Sequence, residues 1–422
     1  MSRIAVIGTG YVGLTTGACF AHLGHAVVCA DIDVDKVQRL RAGDVPIHEA
    51  GLAELVAEGL ESGRLSFVVG GANAVCEADY VYLCVPTPQG DDGSVDLDYL
   101  KAAAAEIGTH VRPGAVVVNK STVPVGSTLL VEQAMGRSDI AVVSNPEFLR
   151  EGSAIADFLN PDRVVIGSDD PAAADLVAAL HAGIGAPVMI TDPASAETTK
   201  YAANAFLATK LSFVNTIAAV CEAVGADVGD VLAAMGCDER IGKEFLRPGP
   251  GWGGSCLPKD AAAIISIAHG AGYDFSLMRG VLEANDEQFK RVVGKVASVV
   301  SLPGATIGLL GLAFKAGTDD TRNSPALEVA KLLLARGAKV RAYDPAVAAV
   351  DIDGIIVVDD PYAATEAAEV LVVATEWDEF SRLDLDKIAE SMAARHVVDA
   401  RNIMDREALL SRGFSYQGIG RN

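Results

Sequence analysis

The chain lacks the marks of a membrane or secreted protein. No run of about 18 uninterrupted apolar residues occurs in it, so the sequence predicts no membrane span. Met1 is followed almost at once by the strand-like sequence IAVIG, so we also expect no signal peptide. Half of the 422 residues are hydrophobic and 21% are charged, which favours two or three folded domains over disorder.

Paired cysteines are also missing. Six of the seven cysteines are scattered through mostly apolar contexts, with no CxxC pair and no partnering histidine pattern. This arrangement argues against a disulfide framework and a zinc site, and it predicts a reducing, cytoplasmic setting with no metal. These six are Cys19, Cys29, Cys76, Cys84, Cys221 and Cys237.

An excess of basic residues is the third absence. The formal net charge is -22, which disfavours nucleic acid as a partner because phosphate neutralisation needs a basic face. An anionic ligand would instead need a site that is locally basic. Candidate cations near the motifs below are Arg240, Lys243, Arg247, Lys259, Lys315 and Arg322.

The first thirty residues predict a dinucleotide-binding unit. An apolar strand runs into Gly8-x-Gly10-x-x-Gly13, a helix-like stretch follows, and a second strand ends at Asp31. The glycines permit the tight turn, the approach of a pyrophosphate and close helix–strand packing, and the pyrophosphate would rest on the helix N-terminus. An acid at Asp31 should bind ribose hydroxyls and repel a 2′-phosphate, so NAD is favoured over NADP.

Further strands at 80–85, 116–119 and 140–144 end in the loops VPTP, STVPVGS and NPEFLREGSA. In an open parallel sheet, ligands bind beyond the carboxyl ends of the strands, so these loops belong to the ligand face. Prolines and small polar residues are also ordinary loop punctuation, and by themselves Thr122 and Glu147 would be unremarkable.

A long apolar-rich helix without glycine or proline is predicted over 195–223. Lys200 and Asn204 are four residues apart and so share one face, and the local pattern by itself favours a solvated face. Residues 261–300 are largely helical too, and a helical middle of this kind suits a dimer interface. The apolar stripe suited to burial consists of Phe206, Leu207, Leu211, Val214 and Ile217.

The last third repeats the strand–helix–strand pattern, with an acid after the second strand at Asp344 but no glycine triplet. We interpret it as a second, degenerate nucleotide-binding fold in which Lys315 and Arg322 supply positive charge; a plain α/β domain is the alternative. The predicted architecture is α/β, with two Rossmann-like doubly wound parallel-sheet domains (1–194 and 301–422) joined by a helical domain (195–300).

The stretch GPGWGGSCLPKD places the seventh cysteine, Cys256, behind a run of glycines. Lys259 and Asp260 follow closely, and a nearby cation favours thiolate. Glycines let the main chain approach a bound substrate. The local alternative is a small buried residue in a tight turn.

With these motifs the sequence resembles the UDP-glucose/GDP-mannose dehydrogenase family, and the resemblance covers essentially the whole chain. The cysteine stretch and the paired Rossmann folds are its specific parts. The quoted runs are GTGYVGL, STVPVGST, NPEFLREGSA, NPDRVVIG, KYAANAF, ERIG, FLRPGPGWGGSCLPKD and GLAFKAGTDDTRNSP.

The resemblance implies an enzyme that oxidises a sugar C6 alcohol to a carboxylate with two NAD molecules. Cys256 would trap the intermediate aldehyde as a thiohemiacetal, and the thioester formed next would be hydrolysed by water. Lys200 and Asn204 would stabilise the oxyanion. The implied catalytic set is completed by Asp260 and Thr122, which would position or activate water, and Glu147, a candidate base.

The resemblance also assigns two binding sets. For NAD these are Gly8, Gly10, Tyr11, Val12, Gly13, Asp31, Lys36, Thr87, Ser121, Thr122, Glu151, Lys259 and Arg322. For the sugar nucleotide these are Glu147, Phe148, Leu149, Arg150, Glu151, Lys200, Asn204, Arg240, Phe245, Leu246, Arg247, Gly249, Gly253, Phe314, Lys315 and Arg401.

Within the family, NPDRVVIG and ERIG are similar to the UDP-glucose branch, so UDP-glucose is the expected substrate and GDP-mannose the alternative. Trp252 and Leu257 depart from the residues commoner at those positions of the sugar loop. Arg240 resembles the arginine that family dimers lend to the neighbouring sugar site, so we expect a homodimer. Two other classes are weighed: a two-electron dehydrogenase, which would not need Cys256, and a binding regulator, which would have lost catalytic groups.

Overall fold

The computed structural model describes residues 1–90 and 93–421. The chain divides into two compact units, residues 1–203 with 262–271 and residues 204–261 with 272–422. Each unit is built on one sheet, and the predicted α/β fold class is confirmed. The three-domain division remains a prediction.

In the described residues, the first unit carries an eight-stranded sheet in the order β3-β2-β1-β4-β5-β6-β7-β8. The first six strands are parallel, whereas β7 pairs antiparallel with β6 and parallel with β8, so the last two run in the opposite direction. The strands are β1 (Arg3–Ile7), β2 (Ala26–Asp31), β3 (Leu65–Val69), β4 (Tyr80–Leu83), β5 (Val116–Asn119), β6 (Ala141–Ser144), β7 (Val164–Gly167) and β8 (Val188–Thr191).

Helices cover both faces of this sheet because successive side chains of a strand point to opposite sides. Ile4 and Val6 of β1 belong to one apolar core, and Ala5 and Ile7 belong to the other. The helices are α1 (Tyr11–His22), α2 (Val34–Arg41), α3 (Leu52–Glu61), α4 (Ala72–Val75), α5 (Asp98–Gly108), α6 (Ser127–Met135), α7 (Ala154–Leu159) and α8 (Pro171–Leu180).

Four helices follow in the middle of the sequence: α9 (Pro193–Val224), α10 (Val228–Gly236), α11 (Leu257–Gly270) and α12 (Ser276–Val299). Among the described helices, α9 is long and apolar enough to cross a membrane by length and composition, criteria that the core helix of a soluble protein also meets. The absence of a membrane span therefore stays a prediction. The predicted stripe on α9 is wrong at Phe206, which is 67% exposed, whereas Val214 is fully buried.

The second unit carries a parallel sheet in the order β11-β10-β9-β12-β13-β14, which repeats the order of the first six strands of the other sheet. The strands are β9 (Thr306–Leu310), β10 (Lys339–Tyr343), β11 (Ile355–Val357), β12 (Val370–Val373), β13 (His396–Asp399) and β14 (Ser415–Gly418). The helices are α13 (Pro325–Ala335), α14 (Pro361–Thr365), α15 (Leu385–Ser391) and α16 (Arg406–Ser411), with a 3₁₀ turn at Asp378–Arg382.

The similarity between the two sheets extends to individual hydrogen bonds. Gly8 N–H donates to the carbonyl oxygen that precedes Asp31 (2.8 Å), and Gly311 N–H donates to the carbonyl oxygen that precedes Asp344 (2.8 Å). Both glycines have positive φ, 96° and 100°. The second unit therefore keeps the turn of a nucleotide-binding fold, as the sequence predicts.

Candidate active site

The glycine turn after β1 has the shape that a dinucleotide needs. A Cβ atom on Gly8 would lie 2.6 Å from the carbonyl oxygen of Cys84, and one on Gly13 would collide with the carbonyl oxygen of Gly8. Gly10, by contrast, has open space around its Cα and begins α1 without a side-chain cap. The free N–H groups of this helix end are a ready anion site, so the turn fits the pyrophosphate of NAD.

Asp31, at the end of β2, is tied to the same turn. Its Oδ2 atom accepts from Thr9 N (2.9 Å) and Thr9 Oγ1 (2.5 Å) and pairs with Lys36 Nζ (3.2 Å). Burial raises the pKa of Asp31, but these hydrogen bonds and the Lys36 charge outweigh it and hold the pKa below its ordinary value. An ionised carboxylate here suits a ribose diol and repels a 2′-phosphate, so the residues fit NAD.

The loops beyond β4 and β5 are fastened to one another. Ser121 Oγ donates to the carbonyl oxygens of Leu83 (3.3 Å) and Val85 (2.8 Å). Thr122 is buried and Thr87 is half-buried, so two more predicted cofactor residues lie in these two adjacent loops.

A buried ion pair lies at the end of β6. The carboxylate of Glu147 accepts from Lys200 Nζ of α9 (2.9 Å) and from Leu149 N (2.6 Å), and both charged side chains are at most 5% exposed. Burial raises the pKa of Glu147, but Lys200 above all outweighs it, so the pKa lies below its ordinary value. The structure thus joins two predicted catalytic residues.

A second buried lysine, Lys120, lies in the same region and is absent from the predicted set. Its Nζ donates to Asn145 Oδ1 (3.2 Å), and Asn145 Nδ2 donates to the carbonyl oxygen of Val165 (2.8 Å). Burial is the main cause that lowers the pKa of Lys120, against the opposing charge of Glu147. Its position directly before Ser121 was the one available sequence signal.

The loop 147–153 is held at several points. Arg150 pairs with Asp157 of α7 through its guanidinium (2.5 Å) and its backbone N–H (2.8 Å). Phe148 stacks under the guanidinium of Arg163, 3.8 Å from the ring centroid. Glu49, another residue outside the predicted set, accepts from the backbone of this loop and from Tyr11. Leu149 and Glu151 are half-buried within it.

In the second unit, Cys256 directly precedes α11, so its thiol lies at a helix N-terminus, where a thiolate is favoured. Ser255 Oγ lies 3.5 Å from its Sγ atom, and the thiol is partly exposed. Asp260, one turn into the helix, is fully buried. Its two carboxylate oxygens pair with Lys259 Nζ (2.6 Å) and accept from Asn204 Nδ2 (2.5 Å).

Lys200 and Asn204 lie one turn apart on α9, as predicted, but their partners differ. Lys200 pairs with Glu147 and Asn204 donates to Asp260, so each neutralises or satisfies a different buried carboxylate. The solvated-face alternative is wrong for both, because Lys200 is 3% exposed and Asn204 is 9% exposed.

Uncharged side chains clamp the glycine-rich loop that leads to Cys256. Gly249 N–H donates to Asn215 Oδ1 (2.9 Å), and the Gly249 carbonyl accepts from Gln288 (2.7 Å). Asn285 bonds both the N–H and the carbonyl of Trp252 (2.8 and 2.9 Å). The indole of Trp252 donates to Ser212 Oγ (2.8 Å), so this unusual tryptophan is a buried anchor of the loop.

The same loop packs on the segment that follows β9. A Cβ atom on Gly253 would collide with the carbonyl oxygen of Asn323, and one on Gly254 would lie 2.9 Å from the ring of Phe314. Arg401 donates to the Phe314 carbonyl (3.2 Å). The half-buried Lys315 places its ammonium group 5.6 Å from the Phe314 ring centroid.

Four other predicted binding residues of the second unit differ in exposure and in backbone conformation. Phe245 has a positive φ of 59°, Leu246 is buried in the core, and the Arg247 side chain is exposed. Arg322 is 66% exposed and pairs with Asp320 (2.7 Å).

Arg240 is the predicted site residue that stands out most from the surface. Its side chain is 88% exposed and pairs with Asp238 two residues away (2.6 Å). Its backbone N–H and its guanidinium both donate to the Asp238 carboxylate, and its expected role in a neighbouring subunit stays a prediction.

Family models of the UDP-glucose/GDP-mannose dehydrogenase family match residues 2–184 (NAD binding domain), 194–287 (central domain) and 308–406 (UDP binding domain). The chain belongs to this family. The resemblance drawn from the motifs is confirmed.

Named members of the UDP-glucose/GDP-mannose dehydrogenase family align over nearly their whole length. UDP-glucose 6-dehydrogenase TuaD of Bacillus subtilis is 46% identical, with 100% of this chain and 94% of the relative covered. A UDP-glucose dehydrogenase structure from Pyrobaculum islandicum has a TM-score of 0.93 at 40% identity, covering 100% and 98%. The structure of UDP-D-ManNAc dehydrogenase from Pyrococcus horikoshii has a TM-score of 0.90 at 30% identity, covering 99% of each chain.

Proposed function

We propose that the protein is an NAD-dependent UDP-glucose 6-dehydrogenase that produces UDP-glucuronate. The observation that carries the proposal is Cys256, a partly exposed thiol at the N-terminus of α11 on a rigidly clamped glycine loop. An alcohol dehydrogenase that stops at the aldehyde has no need of a nucleophilic thiol, whereas a thiol can hold the aldehyde covalently for a second oxidation to the carboxylate level. The 46% identity to a UDP-glucose 6-dehydrogenase supports the same reading.

The thiol chemistry is a sequence of addition, oxidation and hydrolysis. The thiolate of Cys256 adds to the C6 aldehyde, an S–C bond forms, and the carbonyl oxygen takes a proton to give a thiohemiacetal. Loss of a hydride from that carbon and of the proton from its hydroxyl leaves a thioester, and water then adds to the thioester and expels the thiolate, which leaves the carboxylate. NAD, when bound, accepts the hydride in each of the two oxidations.

The charged residues have separate tasks in this proposal. Lys200 and Asn204 would stabilise the oxyanion that develops at C6. Asp260 and Thr122 would position water, while Glu147 is the candidate base. The lowered pKa of Glu147 favours its ionised form, which is the form that a base needs and also the form that orients the Lys200 ammonium.

Binding would divide between the two sheets. NAD would rest on the turn Gly8–Gly13 with Asp31 on its ribose, assisted by Lys36, Thr87, Ser121, Glu151, Lys259 and Arg322. The sugar nucleotide would use the loops 147–151 and 245–253 with Phe314, Lys315 and Arg401. The match of residues 308–406 to a UDP binding domain supports the choice of a uridine nucleotide.

We also propose a cytoplasmic homodimer with the domain division 1–194, 195–300 and 301–422. Phe206, Phe213 and Val220 lie seven residues apart on α9 and are 67%, 49% and 50% exposed, which forms an apolar stripe suited to pairing with a second copy. Arg240 would then reach the sugar site of the partner.

The deciding experiment counts NADH formed per sugar consumed at completion, with UDP-glucose, UDP-N-acetylmannosamine and GDP-mannose in parallel. We expect two NADH per UDP-glucose and no reaction with the others. Two NADH per molecule of another sugar nucleotide would support the same chemistry with that compound as the substrate. One NADH per sugar would mean that the aldehyde is released, and the role of Cys256 would be wrong.

A further inference from the structure

Glu49 lies in the connection between α2 and α3, outside every motif that points to cofactor or sugar. Its side chain is nevertheless buried, at 7% exposure for the residue. A carboxylate inside a protein needs strong partners to offset its lost hydration. The partners of Glu49 come from two functional parts of the first unit.

The first partner is the loop 147–153 and the helix start that follows it. Gly152 N–H donates to Glu49 Oε2 (2.6 Å), and Ala154 N–H donates to Oε1 (2.8 Å). Both carboxylate oxygens are therefore occupied by backbone donors where the loop 147–153 enters α7. Charge-assisted bonds of this kind are about twice as strong as neutral ones.

The second partner is the glycine turn. Tyr11, the first residue of α1, donates its hydroxyl to the Oε2 atom of Glu49. The same hydroxyl accepts from Gly152 N–H (3.1 Å) and lies 3.4 Å from the Arg150 carbonyl oxygen. Burial, more than the Glu49 bond, raises the pKa of Tyr11 well above its ordinary value, so the hydroxyl remains a donor.

Two other attachments of the loop run to different elements. Glu147 fastens Leu149 to α9 through Lys200, and Asp157 fastens Arg150 to α7. Among the described residues of the first unit, Glu49 accepts from two backbone N–H groups of the loop region and also from Tyr11, the first residue of α1. Movement at the start of α1 is therefore passed to the loop through Glu49 and through the Tyr11 hydroxyl that Glu49 holds.

We propose that Glu49 is a positioning residue that couples occupancy of the dinucleotide turn to the conformation of the loop 147–153. The proposal rests on the function proposed above, because it takes that turn as the NAD site and that loop as part of the sugar site. It assigns Glu49 no contact with either ligand. Its consequence is that cofactor binding orders the loop 147–153.

The test is amide hydrogen exchange of a peptide that contains Gly152 and Ala154, measured with and without saturating NADH. In the unaltered protein we expect NADH to slow exchange of this peptide about tenfold. Glu49→Gln presents an amide donor to at least one backbone N–H, so exchange should be faster and the NADH effect should disappear. Tyr11→Phe keeps the carboxylate on the loop but removes the link to α1, and it should also abolish the NADH effect.

Glu54→Gln is the matched control, because Glu54 is an exposed carboxylate of α3 five residues away. It should retain the full NADH effect. A second readout is kinetic: Glu49→Gln should raise the KM for the sugar about tenfold and change kcat less than about threefold, since Glu49 holds Gly152 and Ala154, at the end of the loop away from the candidate base Glu147.

The proposal is overturned if NADH slows exchange equally in Glu49→Gln and in the unaltered protein, or if NADH has no effect on the peptide in the unaltered protein. If Glu49→Gln does not fold, Tyr11→Phe decides: retention of the NADH effect and of the sugar KM refutes the coupling. Exchange uses no sugar, so a failure of the proposed UDP-glucose reaction would be seen separately in the NADH-per-sugar count.

Discussion

Glu147 and Asp260 are buried carboxylates with different kinds of support. Glu147 faces the ammonium of Lys200 and the backbone N–H of Leu149. Asp260 is shared between the ammonium of Lys259 and the amide of Asn204. Every carboxylate oxygen in the two residues thus has one donor, so a proton taken from water would have to go to the remaining lone pair of an oxygen that already accepts a hydrogen bond.

Replacement of the thiol tests covalent catalysis. Cys256→Ser should still permit some oxidation to the aldehyde but should lower UDP-glucuronate formation by at least about a hundredfold, because a hydroxyl is a poorer nucleophile and its ester hydrolyses slowly. Carboxylate production is measured by chromatography alongside NADH. Cys237→Ser, at an exposed cysteine of the same unit, should leave the yield unchanged. Undiminished carboxylate from the Cys256 variant would refute the mechanism.

His181 should make the fold sensitive to acid. It is buried and packs on Phe20 and Phe158, with ring centroids 5.6 and 6.2 Å away. Burial, and then the charge of Lys120, lowers its pKa to about 3. Between about pH 6.5 and that value the unfolded chain binds a proton that the folded chain does not, so the free energy of unfolding falls as the pH falls.

His181→Gln should remove this loss. At pH 5 the native histidine costs about 2 kcal/mol relative to pH 7, and the variant should show a correspondingly smaller drop in the free energy of unfolding. Urea unfolding at both pH values measures the difference. His269→Gln, at an exposed histidine of the same unit, should keep the full drop. An unchanged drop in the His181 variant would contradict the assignment.

Among the elements, the glycine loop before Cys256 is the most tightly constrained. Gly253→Ala would push a Cβ atom into the Asn323 carbonyl oxygen, a backbone atom that cannot turn aside. We expect a destabilisation of about 1–3 kcal/mol and a larger loss of turnover, because the shift moves the loop that carries the thiol. Thermal unfolding and initial rates measure the two effects.

Gly280→Ala is the control for this substitution. Gly280 lies inside α12 with nothing within 4 Å of the added methyl group, so alanine should stabilise the helix by about 0.5–1 kcal/mol and leave turnover unchanged. Equal behaviour of the two variants would show that the close approach at Gly253 carries no energy.

The sequence was sufficient for elements whose pattern is local. The turn at Gly8–Gly13, the acid at Asp31 and the helix that holds Lys200 and Asn204 were predictable because each depends on neighbours within about thirty residues. Strands such as β3 and β8 were missed, since short apolar runs have no distinctive period. Phe206 was misjudged because periodicity shows that a face is apolar but not what covers it.

Glu49 shows a different limit. It is separated from Tyr11 by 38 residues and from Gly152 by 103, and these bonds exist only once the sheet has formed. Lys120 and Glu197 are similar: Glu197 of α9 accepts from Gly126 N (2.7 Å) and Thr128 N (3.0 Å) at the start of α6. No local rule marks a glutamate whose function is to hold a distant backbone.

At the scale of the whole molecule, the expected role of Arg240 in the neighbouring subunit predicts that the dimer is the active species. Subunits with Arg240→Ala and subunits with Cys256→Ala should each be weakly active or inactive by themselves. When they are unfolded together and refolded in equal amounts, half of the dimers are mixed, and one of their two sites has both groups. We therefore expect about a quarter of the unaltered activity. No recovery, with mixed dimers verified by mass spectrometry, would place Arg240 outside the partner's site.

The clamp on residues 249–252 has a consequence for how the enzyme would respond to its surroundings. Asn215, Asn285, Gln288, Ser212 and the indole of Trp252 are all neutral at any physiological acidity. The conformation of the loop that carries the thiol is therefore independent of pH and depends little on ionic strength. A bell-shaped dependence of rate on pH would then report the protonation of the reacting groups themselves. A change of buffer would alter the rate of the chemistry without changing the conformation of the loop.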